Sequence, residues 1–238
     1  MEKSLNSNQK LVLFDIDGTL IRGRYPVSKG RFTYILKKYL GDEMEIDWDK
    51  FDGKPDRAIF KYFLKAKGIS EEMMEKKLPE VFEDAYDYMA KNIKPDYKER
   101  LIKEAAYLVK KLSSLKNIYV GLLTGNQRSI AHLKIKTVGL TNFFKFGLYG
   151  DEADERNELA RLIFKKAKKF FGRDFLAKNI YIIGDTPHDV NCGKFIAAKT
   201  IAVTTGSFSK EELKKTKADL MVESLADKKV LKFILKDE

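Results

Sequence analysis

The chain has a single cysteine, Cys192, so an internal disulfide is impossible, and that usage points to a reducing, cytoplasmic setting. No apolar run approaches the roughly 20 residues of a membrane span. The first residues, Met1 to Lys10, are polar and lack the apolar segment of a secretory signal. There is no internal repeat and no low-complexity tract. A long basic arm and zinc-finger spacing are also missing, although the net charge is +11. The charge is carried by lysines that alternate with Glu and Asp. It therefore reads as a solvated surface that attracts anions, rather than as a nucleic-acid face. Glutamine is scarce as well, with two residues, and beside abundant Lys and Glu this suits a thermophile.

What is present is a globular composition, 44% hydrophobic and 34% charged over 238 residues. That length suits one large domain or a core with a smaller insert. The most informative stretch is Leu11-Val12-Leu13-Phe14-Asp15-Ile16-Asp17-Gly18-Thr19-Leu20. A continuous apolar run cut off by Asp and Gly predicts a buried parallel strand, about residues 10–15, running into a loop. In open α/β sheets ligands bind beyond such strand ends. Two neighbouring carboxylates would push one of them to stay protonated, and a divalent cation relieves that conflict. The stretch thus suggests a nucleophilic carboxylate, a second one for proton transfer, and a hard cation. An acidic turn after a buried strand is the plainer alternative.

Three more apolar strands end in polar groups. Ile118 to Leu123 runs into Thr124-Gly125-Asn126, with a helix expected from Gln127 to Val138. A Thr followed by free amides at a helix start can bind an oxyanion, or can simply cap the helix. Ile180 to Ile183 runs into Gly184-Asp185-Thr186-Pro187-His188-Asp189. Two acids there suit a cation that demands oxygen ligands, although Asp189 also fits an ordinary acidic first turn. Thr200 to Val203 is closed by Thr204-Thr205-Gly206, and Leu220 to Val222 is a short further strand. Phe146 to Tyr149 reads as another short one. Arg156 sits in the first turn of a helix that carries Leu159, Leu162, Ile163 and Ala167 inward. A cation opposes the helix dipole there, so it needs a separate reason. His188 reads as a pocket-rim residue, His132 as structural, and Cys192 as packed rather than reactive.

Between the first two core strands the pattern is helical. Phe32 to Leu40 has helical spacing and Gly41 stops it; Ala58 to Ala66 follows; Ser70 caps a helix to about Asn92 that Pro79 should break or kink. Leu101 to Leu115 and Leu225 to Leu235 are amphipathic helices. Alternating strands and helices predict an α/β, Rossmann-like core with a parallel sheet covered on both faces. The helical block, residues 22–93, reads as an insert into a core of residues 1–21 and 94–238.

Asp15-Ile16-Asp17-Gly18-Thr19 resembles the first motif of the haloacid dehalogenase-like hydrolase superfamily. Leu123-Thr124-Gly125-Asn126 resembles the second, and Gly184-Asp185 with Asp189 resembles the fourth. The helical insert matches the α-helical cap of many members, including phosphoglycolate phosphatase-like ones. The resemblance implies hydrolysis of a small phosphorylated metabolite through an aspartyl-phosphate. Asp15 is then the nucleophile and Asp17 the acid and base. Thr124 holds the phosphoryl group with the Gly125 and Asn126 amides, and Gly18 and Thr19 complete the substrate loop. Arg156 stands for the third-motif cation, although the usual Lys-Pro pattern is absent. Mg2+ is held by Asp15, Asp17 through its carbonyl, Asp185 and Asp189. Dehalogenases resemble the chain but lack the acid two residues after the nucleophile. Phosphonatase, phosphomutase, and phosphatases of nucleotides or nucleic-acid ends share the pattern, as would a binding protein without turnover. Substrate choice would rest on residues such as Arg24, Tyr25, Lys54 and Arg57.

Overall fold

Strands form where the sequence is apolar on both faces, and they stack into one parallel sheet. The computed structural model describes residues 9–23, 25–41 and 46–236. Its six strands are β1 (Lys10–Phe14), β2 (Ile118–Leu123), β3 (Gly147–Leu148), β4 (Ile180–Gly184), β5 (Lys199–Val203) and β6 (Leu220–Val222). Their order across the sheet is β3-β2-β1-β4-β5-β6, every pair parallel. β1 therefore lies at the centre, with β2 on one side and β4 on the other. That arrangement opens a crevice beyond its carboxyl end.

Side chains leave each strand alternately, and the two faces bury different sets. Val12, Phe14, Val120, Leu122, Tyr181, Ile183, Ile201 and Val203 share one apolar cluster with Ala105, Val109, Ile130 and Ile234. Leu11, Leu13, Leu123, Ile180 and Ile182 share the other with Ala160, Ile163, Ala167 and Cys192. Helices α4 (Lys103–Ser113), α5 (Arg128–Thr137) and α9 (Lys228–Leu235) contribute to the first face; α6 (Arg156–Phe171) and α7 (Pro187–Phe195) cover the second; α8 (Lys210–Lys215) lies between β5 and β6. Lys10 is buried because its Nζ donates to the carbonyls of Ile234 (2.8 Å) and Lys236 (3.0 Å) at the end of α9, where a cation is favoured.

Between β1 and α4 lie α1 (Pro26–Leu40), α2 (Asp56–Ala66) and α3 (Glu71–Asn92). Proline at its start and Gly41, with φ +75°, at its end bound α1. Ser70 caps α3 as expected, its hydroxyl accepting from the Met73 amide at 3.4 Å. Pro79, expected to break or kink α3, lies inside one continuous helix and does not break it. Pro79 lies on the exposed side, where water can satisfy the carbonyl it frees, while Met74, Leu78, Val81, Ala85 and Met89 form an unbroken buried stripe. The chain enters and leaves this helical segment at one place. Ile21 bridges Leu101 antiparallel, the Arg22 amide donates to Arg100 O (2.8 Å), and Arg100 Nη2 donates back to Arg22 O (2.8 Å). The expected frayed start lies outside the described residues, as does Arg24.

Candidate active site

β1 ends at Phe14, and the next residue, Asp15, is held to the sheet by its amide, which donates to Ile183 O at 2.9 Å. Gly18 then turns the chain at φ +87°, donating to Ile21 O at 2.7 Å. Only glycine fits that loop. A Cβ on Gly18 would lie 2.2 Å from Asp185 Oδ2, and one on Gly206, beyond β5, would lie 1.6 Å from the same atom. Asp185 thus sits between two loops that carry no side chain there. Thr19 Oγ1 donates to Asp185 Oδ1 at 2.9 Å. Thr19 is fully buried, and its hydroxyl orients a carboxylate. Gly18 likewise shapes the walls around Asp185.

The turn after β4 brings a second acid. Asp189 closes a capping box on α7, its Oδ2 accepting from Thr186 N (3.1 Å) and Thr186 Oγ1 (2.7 Å). Its Oδ1 faces Arg156. One oxygen of Asp189 thus caps the helix while the other faces the site. Oxygens of Asp15, Asp185 and Asp189, all buried, lie within 4.8 Å of one another. Burial first, then the neighbouring Asp189, pushes the Asp15 carboxyl up to about 7, although Arg156 opposes the rise. Asp185 is raised well above the carboxylate range by burial and by Asp15. Three such acids call for positive charge, and an all-oxygen donor set suits a hard divalent cation.

Arg156 supplies part of that charge. Its Nη2 donates to Asp15 Oδ1 (3.0 Å), to Leu123 O (2.8 Å) and to Asp189 Oδ1. The residue is 5% exposed, and its Nε and Nη1 are buried with no hydrogen-bond partner. This is the separate reason for a cation at the start of α6: its guanidinium pairs with the buried Asp15 and Asp189.

Asp17 points the other way, outside the acid cluster. Its Oδ2 accepts from Lys134 Nζ (2.5 Å) and Asn126 Nδ2 (2.7 Å). Burial, the largest influence, would raise its pKa, but the Lys134 charge, the hydrogen bonds from Lys134 and Asn126 and the Arg31 charge together outweigh it and hold the carboxyl below its usual value. Lys134 is almost fully buried on α5 and also donates to Asn126 Oδ1 at 2.8 Å. Sequence reading did not single it out. The available signal was a lysine on the helix face shared with Ile130, Ala131 and Ile135.

Thr124 is buried at the end of β2, its amide donating to Leu148 O at 3.1 Å. The Asn126 amide, expected to be free, donates to Thr124 Oγ1 at 3.3 Å, so Asn126 acts through its side chain on Asp17. The Gly125 carbonyl accepts the amide of Asp56 at 2.7 Å. Asp56 opens α2, and its Oδ2 also accepts from the Gln127 amide (2.8 Å), so the helical segment is docked onto the turn after β2. His188 is half-buried beside Gly53, with its pKa lowered by burial, and is therefore a neutral rim residue near pH 7. His132 pairs with the Tyr149 hydroxyl at 2.9 Å, and burial pushes the Cys192 thiol up to about 12. Asp15, Asp17, Thr124, Gly125, Asn126, Lys134 and Arg156 line one cavity of about 150 Å³, which Tyr25, Phe32, Trp48, Phe51 and Ile59 of the helical segment also line. A neighbouring cavity of about 340 Å³ reaches Gly18, Asp185, Thr205 and Gly206.

Residues 12–203, most of the chain, match the haloacid dehalogenase-like hydrolase family. The chain belongs to that family. A protein of Caldanaerobacter subterraneus subsp. tengcongensis is 27% identical over 217 residues, 90% of each chain. Pyrophosphatase PpaX of Anoxybacillus flavithermus is 25% identical over 223 residues, covering 92% of this chain and 95% of its own. Among solved structures, a β-phosphoglucomutase of Clostridium difficile superposes with a TM-score of 0.68 at 17% identity, over 96% of this chain and 100% of its own. That likeness shows the fold. As a haloacid dehalogenase-like hydrolase the chain is an enzyme, and no helix among the described residues is long and apolar enough to cross a membrane.

Proposed function

We propose that this enzyme is a Mg2+-dependent phosphatase that hydrolyses a small phosphate monoester or anhydride through an aspartyl-phosphate on Asp15. The observation that carries the reading is that Asp15, hydrogen-bonded to Nη2 of the buried Arg156, lies in one cavity with Thr124 and Asn126 and has a carboxylate oxygen within 4.8 Å of oxygens of Asp185 and Asp189. The similarity to a pyrophosphatase over nearly the whole length supports a small phosphorylated substrate.

In this reading an oxygen of Asp15 attacks phosphorus while the bond to the leaving oxygen breaks. Arg156 holds the phosphoryl oxygens and keeps Asp15 aimed, and Thr124 flanks them from β2. Asp17, which must first take up a proton against the pull of Lys134, gives it to the leaving oxygen, then takes one from the water that attacks the aspartyl-phosphate, releasing orthophosphate and restoring Asp15. Lys134 and Asn126 keep the Asp17 carboxyl in place through both halves. Asp15, Asp185 and Asp189 would hold the Mg2+, with the Asp17 carbonyl; the ion would offset charge on nucleophile and phosphate. Residues 22–93 form the cap, which excludes water from the closed site, and residues 1–21 and 94–238 form the core. The single cysteine fits a cytoplasmic enzyme.

The test is release of p-nitrophenol from its phosphate ester by the full chain with Mg2+. EDTA should reduce the rate to background and added Mg2+ should restore it; turnover that ignores EDTA would remove the cation from the reading. Melting the metal-free protein with and without Mg2+ reads the site independently. At a hundredfold excess over its Kd the ion should stabilise by about 2.7 kcal/mol, a rise of roughly 5–10 °C for a chain of this size. Asp185→Asn should abolish the rise.

A further inference from the structure

The cations around the cavity fall into two groups. Arg31 is paired with Asp56, Lys134 with Asp17, and Arg156 with Asp15 and Asp189. Lys29 and Lys54 also line the cavity, but among the described residues neither makes an ion pair or a side-chain hydrogen bond. Both rest on aromatic rings instead. Lys29 Nζ lies 5.7 Å from the Trp48 ring centroid and Lys54 Nζ lies 5.5 Å from that of Phe51. The two rings are themselves neighbours, 6.4 Å apart, so the lysines share one aromatic strip. Next to Lys29, the Ser28 hydroxyl is buried, lines the same cavity and has no partner.

A cation on a ring face is only weakly held, whereas an anion gives it charge-assisted hydrogen bonds. Two such cations and a partnerless hydroxyl lining one cavity suit an anion. These three residues belong to the helical segment and line the same cavity as Asp15, Thr124 and Arg156, with the Lys54 backbone packed against Gly125. We infer that Ser28, Lys29 and Lys54 form a subsite for a second anionic group, a carboxylate or a further phosphoryl group, carried by the leaving half of the substrate. The inference rests on the phosphatase reading for where the first phosphoryl group sits. With about 150 Å³ available, the two anions are joined by a short chain.

The experiment uses three esters that share a phosphoryl group on a three-carbon chain: propyl phosphate, 3-phosphooxypropanoate and propane-1,3-diyl bisphosphate. The wild-type chain should turn over at least one of the anionic-tailed pair about tenfold more efficiently than propyl phosphate. Which of the two leads tells carboxylate from phosphoryl. Lys29→Met and Lys54→Met should each remove most of that preference, chiefly through KM, and leave propyl phosphate unchanged. Ser28→Ala should do the same more weakly. Raising the salt should erode the preference in the wild type only. Equal efficiency on all three esters, or variants that lower all three together, would overturn the subsite and leave the phosphatase reading standing. Failure on all three and on p-nitrophenyl phosphate would sink the phosphatase reading. The subsite is then judged by calorimetry on the Asp15→Asn chain. Tighter binding of the bisphosphate than of propyl phosphate, lost with Lys29→Met, supports it, and equal binding rejects it.

Discussion

Asp15→Asn should lower the rate on p-nitrophenyl phosphate with Mg2+ by at least about 10⁴-fold, because an amide cannot form the acyl phosphate and no other side chain stands in its place. The acid nearest in sequence, Asp17, is turned toward Lys134 and Asn126. Asp185 is clasped by Thr19 and lines the neighbouring cavity, and Asp189 is bound into the cap of α7. The fold should survive the change. Asparagine has the shape of aspartate, its carbonyl oxygen can still accept from Arg156, and one of three mutually repelling acids is gone. The melting temperature of the metal-free variant should therefore equal or exceed that of the wild type. Activity above one part in a hundred in the purified variant would remove Asp15 from the nucleophile's place.

Arg31→Met should be the most damaging single change to stability outside the apolar core. Arg31 donates through Nη1 and Nη2 to the two oxygens of Asp56 at 2.6 and 2.8 Å, and both side chains are at most 4% exposed. Its Nε donates to Ser28 O at 3.1 Å, and its guanidinium lies 4.1 Å from the Phe32 ring centroid. Removing it leaves a buried carboxylate with the Gln127 amide as its remaining donor at Oδ2. Breaking one side of a buried pair costs about 3–5 kcal/mol. For a chain of this size that corresponds to a fall of roughly 6–20 °C in Tm. The double variant Arg31→Met/Asp56→Leu should recover much of the loss, since apolar groups of like volume can replace a buried pair at little cost. A fall of less than about 2 °C in the single variant would mean that the pair is not formed in solution.

The core strands were legible because burial on both faces writes itself as unbroken apolar runs, in Leu11 to Phe14 and again in Ile180 to Ile183. Their acidic ends were legible for the same reason: a charge that terminates such a run has no structural excuse. Arg156 could be suspected because it opposed the dipole of its own helix. Lys134 and Asp56 were not readable, because each works through a partner far along the chain. A lysine in a helix and an aspartate after Gly53-Lys54-Pro55 have the letters of a solvated face and a loop. Only the packing of α5 and α2 around the end of β2 buries them. Pro79 misled because its cost depends on whether the freed carbonyl meets water or protein, and the sequence does not say which side of α3 is wet. The contacts of Thr19 with Asp185 and of Asn126 with Asp17 were not readable, since hydrogen-bond partners are settled by side-chain rotation.

The side-by-side crossing at Ile21 and Leu101 has a consequence for how such a chain can change over time. Departure and return of the helical segment are laced together by Arg100, and the segment meets the core again where Asp56 docks on the turn after β2. Insertions, deletions or wholesale exchange of that segment would leave strand order and register untouched. Selection can therefore remodel what the enzyme recognises while inheriting its reactive groups unaltered.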